Sequence, residues 1–498
     1  MTPKPNETEP TKTEPTKTDR TETGPADSEM SLTDSAVTLV GSTAKISTRP
    51  MWILGLVIMV DQLDQSVVRG AGKSIQDAFN VNDSQLGLLL SAFVIVNGLI
   101  TVPAGYLADR WNRTRTIGHT VVLWSAITMV TAAAQNFATL VGLRGLLGFG
   151  QGITEPSAAS LLSDYYPTTQ RGKVFSNQQI MGFIGLGLGT IIGGQVASQY
   201  GWRWAFLVAA VPGFVIATLA YSLREPARGF ADRLHLGIAE PPAAEAVPLF
   251  DRGFVGFVRD LVAGLRQDFG VIWSITTLRY ALAGVGALMF TVSAIGAWLP
   301  RFHERYSQLS QAKSASAVGV LLIVGGIPGL ILGGRFADRF ADRVQGARVV
   351  IPAYCIAIGI TFFTFSYLKQ PTGTSIALQL FGIFWITMAL PALRAGLADA
   401  VPSHLRGAGF GAFNLAAVVF GAAAAPWVVG TLSSAYGLRT AFFIVSPPVY
   451  LGAFLLFQAR KHLDNDAMKI FEAVVRAIEQ EQARDALLAE TGDAPDHQ

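Results

Sequence analysis

The sequence predicts an all-α membrane protein whose twelve transmembrane helices form two six-helix pseudo-repeat bundles. Of its 498 residues, 50% are hydrophobic and only 15% are charged, whereas a soluble domain carries about a quarter charged residues. Apolar runs of about 20 residues, the length that crosses the hydrocarbon core of a bilayer, can be placed twelve times. The charged residues gather in short clusters between these runs, as in multi-span membrane proteins.

Three short strings occur twice and predict the internal repeat. Residues 105–113 recur in degraded form at 334–340, residues 167–172 recur at 402–407, and residues 200–206 recur at 436–442. The copies keep their order, which indicates one unit written twice. A duplicated membrane unit of this size is typical of secondary transporters.

The predicted spans divide the chain into five parts. The first six begin near Met51, Leu86, Thr116, Ala138, Val174 and Arg203, and the second six near Leu278, Ser316, Ala347, Thr374, Gly407 and Thr440. We therefore expect a tail at 1–49, a bundle at 50–223, a linker at 224–270, a second bundle at 271–460 and a tail at 461–498.

The loops and tails predict the orientation. The short-loop cations fall mainly on one side, at Arg110, Arg113, Arg115, Arg171, Lys173, Arg335, Arg339, Arg343, Arg348 and Arg406. The positive-inside rule places that side, both termini and the linker in the cytoplasm of a cell inner or plasma membrane. The first tail is too polar to bury a core and is expected to be disordered; the last is expected to be partly helical.

The composition and the motifs argue against several other classes of function. The net charge of +3 and the single cysteine, Cys355, argue against a nucleic-acid partner and a disulfide or thiolate metal site. The histidines show no metal-ligand spacing. The sequence shows no nucleophile–base pair or nucleotide motif, so we expect neither an enzyme nor a bound cofactor. We expect a monomer in contact with membrane lipid.

The motifs resemble a known family. Gly-x3-Asp-Arg-x2-Arg at 105–113 is the hallmark of the major facilitator superfamily. Segments 63–64, 74–76, 108–111, 164–167, 201–206 and 298–302 resemble Spinster-like transporters. The resemblance covers about residues 51–458. It implies two bundles that rock about a central cavity; in several members the cargo is a lysophospholipid or sphingolipid, and other relatives carry drug-like or sugar-like solutes.

Two positions depart from that family. Spinster-like proteins usually read Leu-Asp-Arg in span one and Gly-x-Gly-Glu in span four, where this chain has Gln65 and Gln151. Both members of a charge pair are thus neutral amides, which weakens the family's proton-coupling assignment for this chain.

Ionisable residues at membrane depth are candidate coupling residues, because an unpaired charge there is costly. Asp61, Asp64, Arg69, Arg144 and Glu155 form this set. Asp61 and Asp64 share a helix face, and two close carboxylates resist ionising together, so one can hold a proton near neutral pH. Three alternatives remain open: proton coupling, permanent ion pairs with Arg69 and Arg144, or direct contact with cargo. Arg144 is either a structural cation or a site for an anionic headgroup.

Two further sets concern conformational change. Glu155 and Arg394 lie at similar depth on repeat-related spans and form a candidate inner gate; the alternative for Arg394 is a snorkelling arginine. A conformational latch is expected at Gly105, Asp109, Arg110 and Arg113, with a weaker copy at Gly334, Asp338 and Arg339.

The candidate cavity and substrate residues are amides and aromatics: Gln65, Asn97, Trp124, Gln151, Phe290, Trp298 and Trp385. Trp298 is favoured because it ends span seven beside a proline, although an interfacial aromatic belt would also explain it. The glycines of span five predict either close packing, which is favoured, or a bending helix.

These observations favour a secondary active transporter of an amphipathic organic solute, lipid-like or drug-like, working by alternating access and coupled to protons. An uncoupled facilitator is the second reading, which the paired glutamines favour. A non-transporting receptor or scaffold is the third.

Overall fold

The structure is a computed structural model that describes residues 47–108, 112–227, 259, 273, 275–341, 347–368, 371–400, 415–462 and 466. The first tail, most of the linker, and most of the last tail lie outside the described residues, so their assignments stay predictions. The first ten predicted spans coincide with long helices, and the described parts of the last two fall on shorter helical segments, which confirms the all-α fold class.

Six helices make up the first half: α1 (Arg49–Phe79), α2 (Asp83–Ala108), α3 (Arg113–Thr131), α4 (Phe137–Tyr165), α5 (Thr168–Tyr200) and α6 (Trp202–Tyr221). The second half contains α7 (Thr276–Tyr306), α8 (Gln311–Ala341), α9 (Ala347–Ser366), α10 (Thr372–Ala400), a π-helix (Ala416–Ala422), α11 (Ala425–Tyr436), α12 (Leu438–Val445) and α13 (Pro447–Ala459). Of the described helical stretches, eight are long and apolar enough to cross a membrane.

The repeated Tyr-Gly strings are tight turns at equivalent places in the two halves. Gly201 joins α5 to α6 with a φ of +92°, and Gly437 joins α11 to α12 with a φ of +83°. L-residues with a side chain rarely adopt these angles, so the turn explains why glycine stands in both copies.

The glycines of α5 bring it into backbone contact with α1. A Cβ added at Gly185, Gly189 or Gly193 would lie 2.0, 2.1 or 2.3 Å from a carbonyl oxygen of α1, those of Met59, Leu63 and Val67. Close packing therefore explains this face of the stripe. It also fixes α1, which carries Asp61 and Asp64, against its neighbour.

The hydrophobic core is continuous at one end of the molecule. We call the end with residues 80–82 and 307–310 the far end, and the opposite end the tail end. One core cluster runs through the second half and into the far-end part of the first half, where it includes Val67 and Ile75. A second cluster, around Leu54 and Trp124, is confined to the tail-end part of the first half. Apolar packing thus unites the halves at the far end.

Candidate functional site

Asp64 is ion-paired and hydrogen-bonded near the middle of the 31-residue helix α1. Its side chain is 2% exposed. One carboxylate oxygen accepts hydrogen bonds from Thr128 Oγ1 at 2.8 Å and Gln151 Nε2 at 3.2 Å. The other oxygen lies 3.7 Å from Arg144 Nη1. Helices α3 and α4 therefore both hold this carboxylate, and its geometry matches the ion-pair alternative.

Asp61 lies about one turn nearer the tail end and has a different environment. It is 8% exposed, and its Oδ2 accepts from Gln65 Nε2 at 2.9 Å and Gln62 Nε2 at 3.2 Å. Within the described ranges, no lysine or arginine nitrogen forms a salt bridge with it. The carboxylate is buried with amide partners alone.

The two glutamines that depart from the family pattern contact the two aspartates. Gln65 donates to Asp61, and Gln151 donates to Asp64. Each amide supplies an N–H donor at a position where the family has a charged residue. A pair of charges is thus replaced by two amide–carboxylate hydrogen bonds, which leaves the aspartates with one close guanidinium.

That guanidinium belongs to Arg144, which is buried between Asp64 and two aromatic rings. Its Cζ lies 5.4 Å from the ring centroid of Phe93 and 5.9 Å from that of Phe206, within cation–π range. The ion pair and the rings match the structural-cation alternative for Arg144.

Arg69 and Glu155 lie at the margins of this cluster. Arg69 is half-buried on α1, toward the far end, and its charge interacts with that of Arg144. No salt bridge joins Arg69 to either aspartate among the residues described. Glu155 is exposed on α4, close enough to Asp61 for their negative charges to interact. We call Asp61, Asp64, Gln65, Arg144 and Gln151 the acidic cluster.

The inner gate stays a prediction. Arg394 belongs to α10, but its side chain lies outside the described residues, so its distance from Glu155 is not defined.

Two of the tryptophans expected on a cavity wall lie in the packed interior. Trp298 is 0% exposed, and its Nε1 donates to the carbonyl oxygen of Pro426 at 2.9 Å. The reason is that α7 continues through Pro300 to Tyr306, so Trp298 does not end the span. Trp124 is 1% exposed within the core of the first half. In this arrangement both indoles pack helices together, and their place on a cavity wall stays a prediction.

The other cavity candidates keep partial access. Asn97, Phe290, Trp385 and Gln65 are each half-buried. Trp385 also makes an edge contact with Phe384, with ring centroids 6.0 Å apart. These four residues remain candidates for cargo contact.

The latch is partly described, and Arg113 is its central residue. Asp109 and Arg110 lie outside the described residues, and Gly105 lies within α2. Arg113 is 0% exposed and pairs with Asp164 on α4 and with Glu225, 2.7 Å away, just after α6. Glu225 also accepts from the backbone N–H of Thr114 at 2.9 Å. Arg113 therefore ties three segments together at the tail end.

The second latch copy is looser at the glycine that we predicted. An added Cβ at Gly334 would lie 3.9 Å from Pro391, whereas one at Gly333 would lie 2.1 Å from the carbonyl oxygen of Met388. The close helix approach is thus at Gly333. The Arg339 side chain is exposed, and the side chain of Asp338 lies outside the described residues.

The structure adds a polar network that sequence reasoning missed. At the far end, Asp83 on α2 accepts two hydrogen bonds from Arg305 on α7, both of 2.6 Å. Asp83 also accepts from Ser433 and from Gln76 at 2.9 Å, and Gln76 accepts from Arg301 at 2.7 Å. We call these five residues the far-end lock, because they join the two halves.

A sequence signal for the far-end lock was present. Asp83 opens α2, while Arg301 and Arg305 close α7 on the side that the positive-inside rule leaves poor in cations. Arginines on that side call for an anionic partner.

The comparisons with known proteins agree with this fold. The family model described as Major Facilitator Superfamily matches residues 54–424. The chain is 26% identical over 374 residues to protein spinster homolog 3 of Danio rerio, covering 70% of each chain. It is 24% identical to the cis,cis-muconate transport protein of Acinetobacter baylyi, over 80% of this chain and 90% of that protein. It is 29% identical to the sphingosine-1-phosphate transporter of Mus musculus, over 60% of this chain and 54% of that protein.

A solved structure shows the same fold. The crystal structure of a bacterial homologue of the human lysosomal transporter Spinster, inward-facing and occupied, superposes with a TM-score of 0.70 at 18% identity. The match covers 85% of this chain and 99% of that one. These relatives are transporters and not enzymes, so the chain is a multi-pass membrane transporter of a small solute. It belongs to the major facilitator superfamily and, within it, is similar to the Spinster-like transporters.

Proposed function

We propose that this protein is a secondary active transporter that moves an amphipathic organic solute, lipid-like or drug-like, by alternating access driven by protons. The observation that carries the proposal is Asp61, a carboxylate 8% exposed at membrane depth whose hydrogen-bond partners are two amides. An ionised carboxylate in such a place is costly unless a cation or proton neutralises it.

Asp61 fits the coupling role better than Asp64 does. Asp64 already has Arg144 at 3.7 Å and two hydrogen-bond donors, and each of these contacts favours its ionised form. Asp61 is stabilised by N–H donors alone and is repelled by the charges of Asp64 and Glu155. A proton taken up on Asp61 removes that repulsion, and its release when water reaches the cluster restores it. Protonation of Asp61 therefore changes the free energy of one conformation more than the other.

The contacts between the halves support alternating access. The far-end lock, the bond from Ser74 Oγ to Gln311 Oε1 at 2.8 Å and the bond from Gln195 Nε2 to Ser316 Oγ at 2.9 Å all join the halves in the far-end part of the molecule. This arrangement is closed at the far end. Transport requires these bonds to break while the other latch residues and the Glu155–Arg394 gate close the tail end.

The relatives bear on the cargo. The name of one relative gives sphingosine-1-phosphate, an amphipathic anion, and the name of another gives cis,cis-muconate, a small dianion. The half-buried set Asn97, Phe290, Trp385 and Gln65 offers two aromatic faces and two amides, which suits a solute with an apolar part and a polar part. We place the protein as a monomer in the cell inner or plasma membrane, surrounded by lipid, with both termini in the cytoplasm.

Proteoliposome uptake tests the proposal. Purified protein would be assayed with labelled sphingosine-1-phosphate and with labelled cis,cis-muconate, with and without an imposed pH gradient. Asp61→Asn should abolish stimulation by the gradient while sparing counterflow exchange of the same cargo. Asp77→Asn, an exposed aspartate on the same helix, is the matched control and should respond like the wild type. Full gradient dependence in Asp61→Asn would contradict proton coupling at this residue and make Asp64 and then Glu155 the next candidates.

An uncoupled facilitator is the second candidate. Gln65 and Gln151 favour it, because they replace two charged positions of the family pattern. In that case the wild type would show counterflow but no uptake against a concentration gradient at any imposed pH difference.

A further inference from the structure

Three buried oxygen atoms of the acidic cluster receive no hydrogen bond from the described protein. They are Asp61 Oδ1, Asp64 Oδ1 and Gln151 Oε1. Their residues are 8%, 2% and 2% exposed. Arg144 Nη1, at 3.7 Å from Asp64, is too distant for a hydrogen bond. A buried acceptor without a donor costs free energy, so three together point to a ligand that all of them can contact.

The charges of the cluster indicate the sign of that ligand. Asp61 and Asp64 carry two negative charges against the one positive charge of Arg144. Including the more exposed Glu155 and Arg69 adds one charge of each sign and leaves the same net charge of −1. One monovalent cation neutralises it, whereas a divalent cation would leave a positive charge in the membrane.

The three residues lie on two helices, α1 and α4, that contact each other at Asp64. Asp61 and Asp64 share a face of α1. Gln151 belongs to α4, and its Nε2 donates to Asp64 Oδ2 at 3.2 Å, so the Oε1 of the same amide lies near the Asp64 carboxylate. Carboxylate and amide oxygens are hard ligands.

We propose that Asp61, Asp64 and Gln151 bind one sodium ion. A sodium ion contacts several oxygens at once, whereas a proton on Asp61 satisfies one oxygen and leaves Asp64 Oδ1 and Gln151 Oε1 without a donor. Sodium and a proton therefore compete for Asp61. The ion site rests on the proposed function only for its role in coupling; binding itself does not depend on transport.

The competition gives the site a pH dependence. The charged groups that face Asp61 are Asp64 on its own helix and Glu155 on α4, while Arg144 faces Asp64 and Arg69. Protonation of Asp61 removes a ligand, so sodium binding weakens as the pH falls.

The test uses the full chain in lipid nanodiscs. The thermal midpoint would be measured in choline chloride with increasing NaCl or KCl at constant ionic strength, alongside equilibrium binding of ²²Na⁺. We expect a saturable rise of about 3 °C at a hundredfold excess of sodium over its Kd, with a smaller rise in potassium and a weaker apparent affinity at pH 6 than at pH 8.

Variants locate the ion. Asp61→Asn should lower the sodium affinity at least tenfold, and Gln151→Met, which leaves every charge in place, should lower it severalfold. Asp77→Asn is the matched control and should bind like the wild type. Equal shifts in sodium, potassium and choline, or unchanged ²²Na⁺ binding in Gln151→Met, would overturn the site. Uptake driven by a pH gradient in sodium-free buffer, together with no sodium binding, would refute the sodium site and leave the proposed transport function standing.

Discussion

The two halves of the chain are repeats of one another, yet they bury different chemistry. The first half encloses Asp61, Asp64 and Arg144. Along α7–α13, as far as those helices are described, the mostly buried charged pair Arg301–Glu304 lies at the far end. The other buried polar side chains there carry hydroxyl, amide or imidazole groups, and His303 bonds Gln379 at 2.8 Å. The second half places its arginines at the far end instead, where Arg305 pairs with Asp83 of the first half. The comparison teaches that the first repeat buries charges near the middle of its helices, while the second places its charged pairs at the far end, where it also supplies the cations of the far-end lock.

The largest expected effect is the loss of Arg144. Arg144→Met leaves Asp64 buried without a cation, and breaking a buried ion pair on one side costs about 3–5 kcal/mol. We expect a large drop in the thermal midpoint and in the yield of monodisperse protein. The matched control is Arg439→Met in the second half. Arg439 is half-buried and contacts the ring of Tyr306 at 4.4 Å, an interaction worth about 0.5–1 kcal/mol.

Neutralising both partners separates charge from packing. In Arg144→Met with Asp64→Asn, no unpaired charge remains, so much of the lost stability should return. Equal losses of stability in Arg144→Met and Arg439→Met would show that the buried ion pair of the first half does not distinguish the two halves.

The second prediction concerns the far-end lock. Asp83→Asn keeps the shape of the side chain but removes the charge that Arg305 contacts with two 2.6 Å hydrogen bonds. Because the Arg305 side chain is 31% exposed, water screens part of the loss. We expect about a tenfold shift toward a state open at the far end, which corresponds to about 1.4 kcal/mol.

Cysteine crosslinking measures that shift. In a Cys355→Ala background, Ser84→Cys and Ser434→Cys pair across the halves, since Ser84 N lies 3.3 Å from Ser434 Oγ. Crosslinking should be several times slower with Asp83→Asn, and exchanging the charges of Asp83 and Arg305 should restore part of it. An unchanged rate would show that apolar packing alone closes this end.

How much of this could be predicted from the sequence depended on whether the signal was local. Periodic apolar runs and the Tyr-Gly turns at Gly201 and Gly437 are local, so the fold and the repeat followed from them. Asp61 and Asp64 were identified because a charge inside an apolar run is costly by itself. Which aspartate pairs with Arg144 depends on the packing of α1, α3 and α4, and that is not a local property.

Long-range contacts also explain what the sequence reasoning missed. Trp298 was assigned to a cavity because Pro300 suggested the end of a span, yet α7 accommodates the proline and continues to Tyr306. The far-end lock was missed because Asp83 and Arg305 are remote in sequence. Each looked like an ordinary polar residue at a helix terminus.

In both halves glycines allow two helices to approach closely, but the glycines lie on different members of the equivalent helix pairs. Where α2 crosses α4, the glycines are on α4: a Cβ at Gly148 would lie 2.6 Å from the carbonyl oxygen of Phe93. Where α8 crosses α10, the equivalent pair in the second half, the glycines are on α8: a Cβ at Gly333 would lie 2.1 Å from that of Met388. The same close backbone contact thus depends on glycines of the fourth helix in the first half and on glycines of the second-repeat helix α8 in the second half.

The smallest expected effect tests that difference. Gly333→Ala must move α8 from α10, and overpacking costs about 1–3 kcal/mol. The gain in helix propensity from glycine to alanine, up to about 1 kcal/mol, offsets part of this, so the net loss should be about 1 kcal/mol. Gly334→Ala is the matched control, because its Cβ would have Pro391 at an ordinary 3.9 Å, and it should be neutral or slightly stabilising. The first half offers the same pair of variants. Gly148→Ala should lower the stability about as much as Gly333→Ala does. Gly150→Ala, whose Cβ would have Trp124 at 3.6 Å, should leave the stability as unchanged as Gly334→Ala does. The thermal midpoints of the four variants would identify the glycine at the close contact. If Gly334→Ala were as destabilising as Gly333→Ala, the close contact between α8 and α10 would lie at the predicted latch glycine and not at its neighbour.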